Sequence, residues 1–178
     1  MKARDIIAGA DPRVGQVYDF WNAARAGNRC PAQADLDLPS IPRLMPNVFI
    51  IDVLGGSEYR YRYLGTKIDE HLGRSFTGKV FSQARSGRVL SEITRFFDRV
   101  AGDRVLGLLE TRLPSERFEW VRYSRLGLPL ADDHRNITKV FGLFLFEGDK
   151  DRRYQTPDIH DIDHDELGEV ECRFGELD

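Results

Sequence analysis

The chain predicts an α+β fold, with one sheet and helices packed on it. Two observations carry this. Val48–Val53 and Val140–Phe146 are nearly continuous apolar runs, the mark of strands buried on both faces. Between them lies 86–101, where Val89, Ile93, Phe96, Phe97 and Val100 form one helical stripe and Arg88, Glu92, Arg95 and Arg99 lie mostly off it. Doubly apolar strands belong in the middle of a sheet, where both faces must be covered. A helix with a single apolar stripe covers one of them.

The other elements follow in chain order. Residues 12–27 place Val14, Val17, Tyr18, Trp21 and Ala24 on one helical face. Asp11 reads as the N-cap, Pro12 as the first turn and Gly27 as the stop. This amphipathic N-terminal segment, 1–29, is the obvious cover for the second sheet face, within its own subunit or across a dimer. Val14, Val17, Tyr18 and Trp21 are therefore a candidate dimer or docking face. Residues 30–46, with four prolines, read as an extended connector holding a short turn at Pro42–Met45. Val48–Val53 ends in the Gly55-Gly56 turn. Tyr59–Leu64 alternates tyrosine and arginine, so it should have an aromatic and a cationic face and lie at an edge. Thr66–Leu72 fits two short helical turns closed by Gly73. After the long helix come three more strands, 105–113, 118–126 and 137–146, separated by Pro114-Ser115-Glu116 and by Pro129–Asn136. That makes five strands, with the mixed 118–126 segment nearer an edge. The core therefore spans 30–147. Beyond Glu147 the periodicity is lost, and 148–178 reads as an acidic tail that is flexible or ordered only by docking.

Charge and composition exclude several roles. Residues 1–146 hold 17 acidic and 22 basic side chains, against 12 and 4 in 147–178. That mild excess, spread along the body, is no nucleic-acid footprint. No apolar run approaches the ~18 residues of a membrane span. No apolar segment follows Met1-Lys2-Ala3-Arg4-Asp5 as a secretory signal requires, so a cytoplasmic location is expected. Cys30 and Cys172 read as free thiols.

Chemistry-bearing motifs are few. Gly73-Arg74-Ser75-Phe76-Thr77-Gly78-Lys79 has the glycine and lysine spacing of a phosphate loop, but Val80 stands where a hydroxyl is needed and a helix precedes it where a strand should. It reads as a glycine-punctuated connector, and an enzyme acting on a nucleotide is the weakest of the functional readings. His160 and His164 would share a helical face as metal ligands do, yet they sit among acids in a tail that nothing requires to be helical. No metal site is expected. Glu110 and Arg112, two apart on a strand, read as members of cross-strand ion pairs. No grouping of a catalytic nucleophile with its base is evident, so the chain does not read as an enzyme.

The element order, with first and last body strands central, resembles the PAS fold. The motifs are similar to those of stand-alone bacterial PAS-fold proteins, the fifth PAS subgroup. Those motifs are Trp21, then Pro31-Ala32-Gln33-Ala34-Asp35-Leu36-Asp37 and Ile41-Pro42-Arg43-Leu44-Met45-Pro46. They continue through Val48–Val53, Tyr61-Arg62-Tyr63-Leu64-Gly65-Thr66 and Gly73–Gly78, to Leu128-Pro129-Leu130 and the closing strand with Gly142. The family tends to carry a basic residue where Gln33 stands and a proline where Leu38 stands. The resemblance implies a five-stranded antiparallel sheet with helices on one face and the N-terminal helix on the other.

It also implies a sensory or protein-interaction module in bacterial cytoplasmic signalling, one that is not an enzyme and works through a protein partner, as a monomer or a homodimer. The space between long helix and sheet, in such domains, holds a small molecule or is simply packed. Here its expected lining is Val89, Ile93, Phe96 and Phe97 of the helix with Trp120, Phe141 and Leu143 of the sheet. No cofactor is specified. Haem-binding relatives supply a histidine from the long helix, and 86–101 has none; His71 is the nearest alternative. Cys172-Arg173-Phe174 resembles the reactive-cysteine segment of flavin photoreceptors but lies outside the expected core. A ligand-free docking or dimerisation module is the alternative, its surface the sheet face near Trp21 and Tyr18 or the Tyr/Arg strand 59–64.

Overall fold

The structure, a computed structural model, describes residues 1–72, 74–113, 121–132, 135–147 and 170–177. Five helices are described: α1 (Ala3–Ile7), α2 (Pro12–Ala24), α3 (Thr66–Leu72), α4 (Phe81–Ala84) and α5 (Gly87–Gly102). The strands are β1 (Val48–Gly55), β2 (Glu58–Leu64), β3 (Leu106–Leu113), β4 (Val121–Asp132), β5 (Asn136–Glu147) and β6 (Glu171–Gly175). They form one sheet of order β2-β1-β5-β4-β3-β6, antiparallel throughout. The two doubly apolar strands, β1 and β5, are neighbours and neither is on a rim.

Three expectations are corrected. The sheet has six strands, not five, because Glu171–Gly175 of the tail pairs with β3. The described part of the 118–126 segment, from Val121, belongs to an interior strand, not one nearer an edge: β4 lies between β3 and β5. It also runs on through Pro129, which pairs with Val140. Proline is tolerated there because β3 starts only at Leu106, opposite Leu128, so no second neighbour awaits an N–H. Third, α2 does not cover the outer face alone. α1 and the 30–46 connector share the task, adding Ile6, Cys30, Leu36 and Leu44 to the same buried cluster.

The connector is held by the sheet it covers. The Ala131 N–H donates to Pro31 O at 3.0 Å. The buried Trp21 Nε1–H donates to Pro129 O at 3.0 Å, tying α2 to the strand beyond its β3 partner. α2 begins as the sequence implies, with the Asp11 carboxylate accepting from the Arg13 N–H at 2.9 Å and Pro12 in the first turn.

The tyrosine and arginine alternation of β2 is broken by a register shift between Ile50 and Ile51 of β1. Tyr59 and Tyr61 face α5, whereas Tyr63 packs on the opposite cluster. Arg60 and Arg62 reach the buried Asp52 carboxylate at 2.8 and 3.3 Å, with Lys139 at 3.7 Å. The cationic face of an edge strand thus serves one buried acid. Glu110 pairs with Arg173 of β6, not with Arg112.

Tyr59 bridges β2 to the long helix, its hydroxyl donating to Asp98 Oδ1 at 2.6 Å. Burial raises the Tyr59 pKa well above its ordinary value of 10.0, and the bond to Asp98 raises it further. The folded state therefore holds this proton where the unfolded chain releases it. Stability from this contact is complete below pH ~10 and is lost as pH climbs above it. Alkaline titration of the urea midpoint should show that fall, and Tyr59→Phe should flatten it; an unchanged slope in the variant would assign the fall to other groups.

Candidate functional site

Two buried clusters lie on opposite faces of the sheet. The outer cluster joins α1, α2 and the connector to Val48, Ile50, Leu126, Leu128, Phe141 and Leu143. The inner joins α3, α4 and α5 to Phe49, Ile51, Tyr61, Tyr123, Val140 and Phe144. Successive residues of a strand point to opposite faces, and this parity decides which belong to a site under the long helix.

The expected site residues are divided accordingly. Val89, Ile93, Phe96 and Phe97 are buried on α5 and face the sheet. Phe141 and Leu143 point to the other face, beneath α2, so they cannot share a space with α5. Trp120 lies outside the described residues. Val14, Val17, Tyr18 and Trp21 are at most 1% exposed, spent on the protein's own sheet rather than presented as a docking face. Phe96 fills a notch over two glycines: a Cβ on Gly107 or Gly127 would come within 2.7 or 2.9 Å of its ring.

A cavity does lie on the inner face, displaced from the expected position toward α3. Phe49 and Ile51 of β1, Tyr61 and Leu64 of β2, and Phe144 of β5 form its sheet wall. Ile68 and Leu72 of α3 and Phe97 of α5 close it, with Arg125 of β4 and Arg85, between α4 and α5, completing the lining. Leu72 and Arg85 are half-buried while the other lining residues are buried, so the space opens between those two. Its non-atom space is about 320 Å³, open solvent at the mouth included. One or two waters fit as it stands; anything larger must press the mouth outward.

Its chemistry is uneven. Most of the wall is apolar or aromatic, and Phe97 is the hub, touching Phe49, Tyr59, Phe81 and Phe96 with ring centroids 5.2–5.9 Å apart. Against this stand two guanidinium groups. Arg125 is 8% exposed, with its Cζ 4.8 Å from the Phe144 ring centroid and 5.6 Å from that of Phe97. Arg85 stacks on Phe76 at 4.6 Å. Burial lowers the Arg125 pKa, disfavouring its charge. Nothing in the sequence pattern singled out these residues, and Arg125 fell in a segment read as nearer an edge.

The remaining motifs are placed as follows. The phosphate-loop lookalike runs beside β2, with the Gly78 N–H donating to Tyr61 O at 2.7 Å and the Tyr61 N–H to Lys79 O at 3.0 Å. It thus occupies part of an open sheet edge. The Lys79 ammonium stands 5.9 Å from the Phe76 ring centroid; Gly73 is outside the described residues. His71 stacks on Phe146 at 3.7 Å. Cys172 is an exposed residue of β6, opposite Leu109, on the sheet rather than beyond it. His160 and His164 lie outside the described residues. Among the described residues no group of three or more potential metal ligands comes together. Nor is any described helix long and apolar enough to cross a membrane.

An antiparallel sheet with first and last body strands adjacent at its centre, crossed on one face by a long helix with a cavity beside it, defines a PAS-type domain. The model of a family described as PAS domain matches residues 11–145, and the chain belongs to that family. No curated protein and no solved structure matches it.

Proposed function

We propose that this chain is a non-catalytic sensory or interaction module that binds a small molecule in the inner-face cavity and passes its occupancy to a partner protein. One observation carries this reading: the cavity is lined at once by α3, α5, the α4–α5 link and four body strands. An occupant would touch each element whose position could report its presence. Arg85 lies just before the first turn of α5 and Phe97 in its middle, so a ligand pressing on both favours one setting of the long helix. Such a ligand acts by shifting a population between two settings.

The docking alternative has less support. Of its two expected faces, that of α2 is buried and that of β2 buries Tyr59 and Tyr61 and turns Arg60 and Arg62 to Asp52; the large hydrophobic side chains exposed among the described residues are Met1 and Leu54, which make no broad patch.

Native mass spectrometry of the protein purified from its own host tests the ligand reading. A retained small molecule is expected. Leu72→Trp, which blocks the opening from a half-buried position, should remove it while leaving the circular dichroism spectrum intact. No retained molecule, together with concentration-dependent dimerisation, would replace ligand sensing with docking.

A further inference from the structure

We infer that the cavity's occupant is a small organic carboxylate, its charged end held by Arg125 and Arg85 and its apolar body lying against Phe49, Ile51 and Phe97. This rests on the reading that the cavity takes a ligand.

Arg125 is one half of an incomplete ion pair. Arginine is almost never buried without a partner. Arg125 is buried, yet its Nη1 has no hydrogen-bond partner among the described residues. The ionisable groups that act on it are Tyr123, Tyr61, Arg85 and Cys172. None is a carboxylate, and one is a second cation. Arg85 repeats the deficit, with its buried Nε also lacking a partner. Two like charges at one cavity, with no acid lining it among the described residues, are a configuration that a bound anion completes.

The surroundings select the kind of anion. The rings of Phe144 and Phe97 lie near the guanidinium of Arg125, and stacked rings leave its donors free in the guanidinium plane. Planar in-plane donors suit a carboxylate, which accepts two parallel bonds. Apart from Tyr61, the wall away from the arginines is hydrocarbon, which favours an anion with an apolar body over a fully hydrated inorganic one. Because the resting space holds only one or two waters, the anion must press the mouth outward to enter, which favours a body no larger than a short chain or a single ring.

The test uses the full chain and five probes: sodium benzoate, sodium hexanoate, benzamide, hexanamide and sodium phosphate, with binding followed by calorimetry. Each carboxylate should bind at least tenfold more tightly than its amide and more tightly than phosphate. Arg125→Met should abolish that preference without lowering the melting temperature, because an unpaired buried charge is replaced by an apolar chain of similar length. Were Arg125 only a structural staple between two rings, the same change would lower it. Arg85→Met, at a half-exposed residue, repeats the test on a fold less exposed to damage and should also weaken carboxylate binding at least tenfold. Equal binding of acid and amide overturns the anion inference and leaves the ligand reading standing. So does a carboxylate preference that survives both substitutions, or tighter binding of phosphate. Failure of every probe overturns it too, and the native mass spectrum then decides separately whether any ligand is held.

Discussion

Replacing Trp21 by alanine is expected to cost about 3–5 kcal/mol of folding stability, the range for emptying a buried aromatic site. The indole is fully buried, stacks near Tyr18 with centroids 6.2 Å apart, and is approached by the Arg25 guanidinium at 5.6 Å. Two losses add. The cavity left behind lies between α2 and the outer sheet face, where short helices and an extended connector form the cover. The Pro129 carbonyl also loses its indole donor, and an unsatisfied buried acceptor costs about 1–3 kcal/mol of that total. Domains of this size are typically stable by about 5–15 kcal/mol, so the change removes a large share. Trp21→Phe should recover most of the packing and none of the hydrogen bond, giving an intermediate urea midpoint. Because Trp21 is interior, oligomeric state should be unaffected at concentrations where the variant is folded. A loss of stability under ~1 kcal/mol for the alanine variant would show the helix to be loosely docked.

The same burial explains what was legible in the sequence and what was not. Helix α5 and strands β1 and β5 were readable because their burial is written in local periodicity. Which face of β5 meets α5 was not. Every residue from Val140 to Leu145 except Gly142 is apolar, so a two-residue period cannot distinguish Phe141 and Leu143 from Val140 and Phe144. The expected lining therefore took the wrong parity. Strand β6 escaped notice for a different reason. Glu171-Cys172-Arg173-Phe174-Gly175 is short and polar, and what holds it is remote: the ladder to β3, the Ala3 N–H donating to Glu176 O at 3.0 Å, and the Arg173 pair with Glu110.

The candidate site was the least legible part. An arginine between Ser124 and Leu126 reads as a solvent-facing position, since local pattern assigns charge to water. Its burial depends on Phe97 and Phe144, distant in sequence, whose rings replace part of its hydration. A charge placed against the binary pattern of an interior strand is a local rule broken, and such breaks concentrate at functional sites. Arg85 carries no signal of its own, because a cation in a link between helices is ordinary until the cavity beside it is seen.

Gly142→Ala should be among the most damaging single-methyl additions in the described part of the chain. An added Cβ would stand 1.9 Å from Leu126 O and 2.5 Å from the Phe49 ring. The Phe49 ring can turn aside, but Leu126 O is main chain in a strand laddered on both sides, to β5 and to β3, so relief requires the centre of the sheet to part. Contacts under 3 Å to backbone are not absorbed by side-chain adjustment, and a cost of about 4 kcal/mol or more is expected, at the extreme of single substitutions. The damage would also reach the inner face, because Phe49 lines the cavity. Gly15→Ala supplies the opposite case. That glycine lies inside α2, nothing stands within 4 Å of its added Cβ, and alanine should gain about 0.5–1 kcal/mol there through helix propensity. The pair of variants, compared by urea denaturation and by amide dispersion in a proton–nitrogen spectrum, should move in opposite directions. A well-folded Gly142→Ala protein within ~1 kcal/mol of the parent would mean that β4 and β5 do not approach as closely at Leu126 as the register from Arg122 to Asp132 requires.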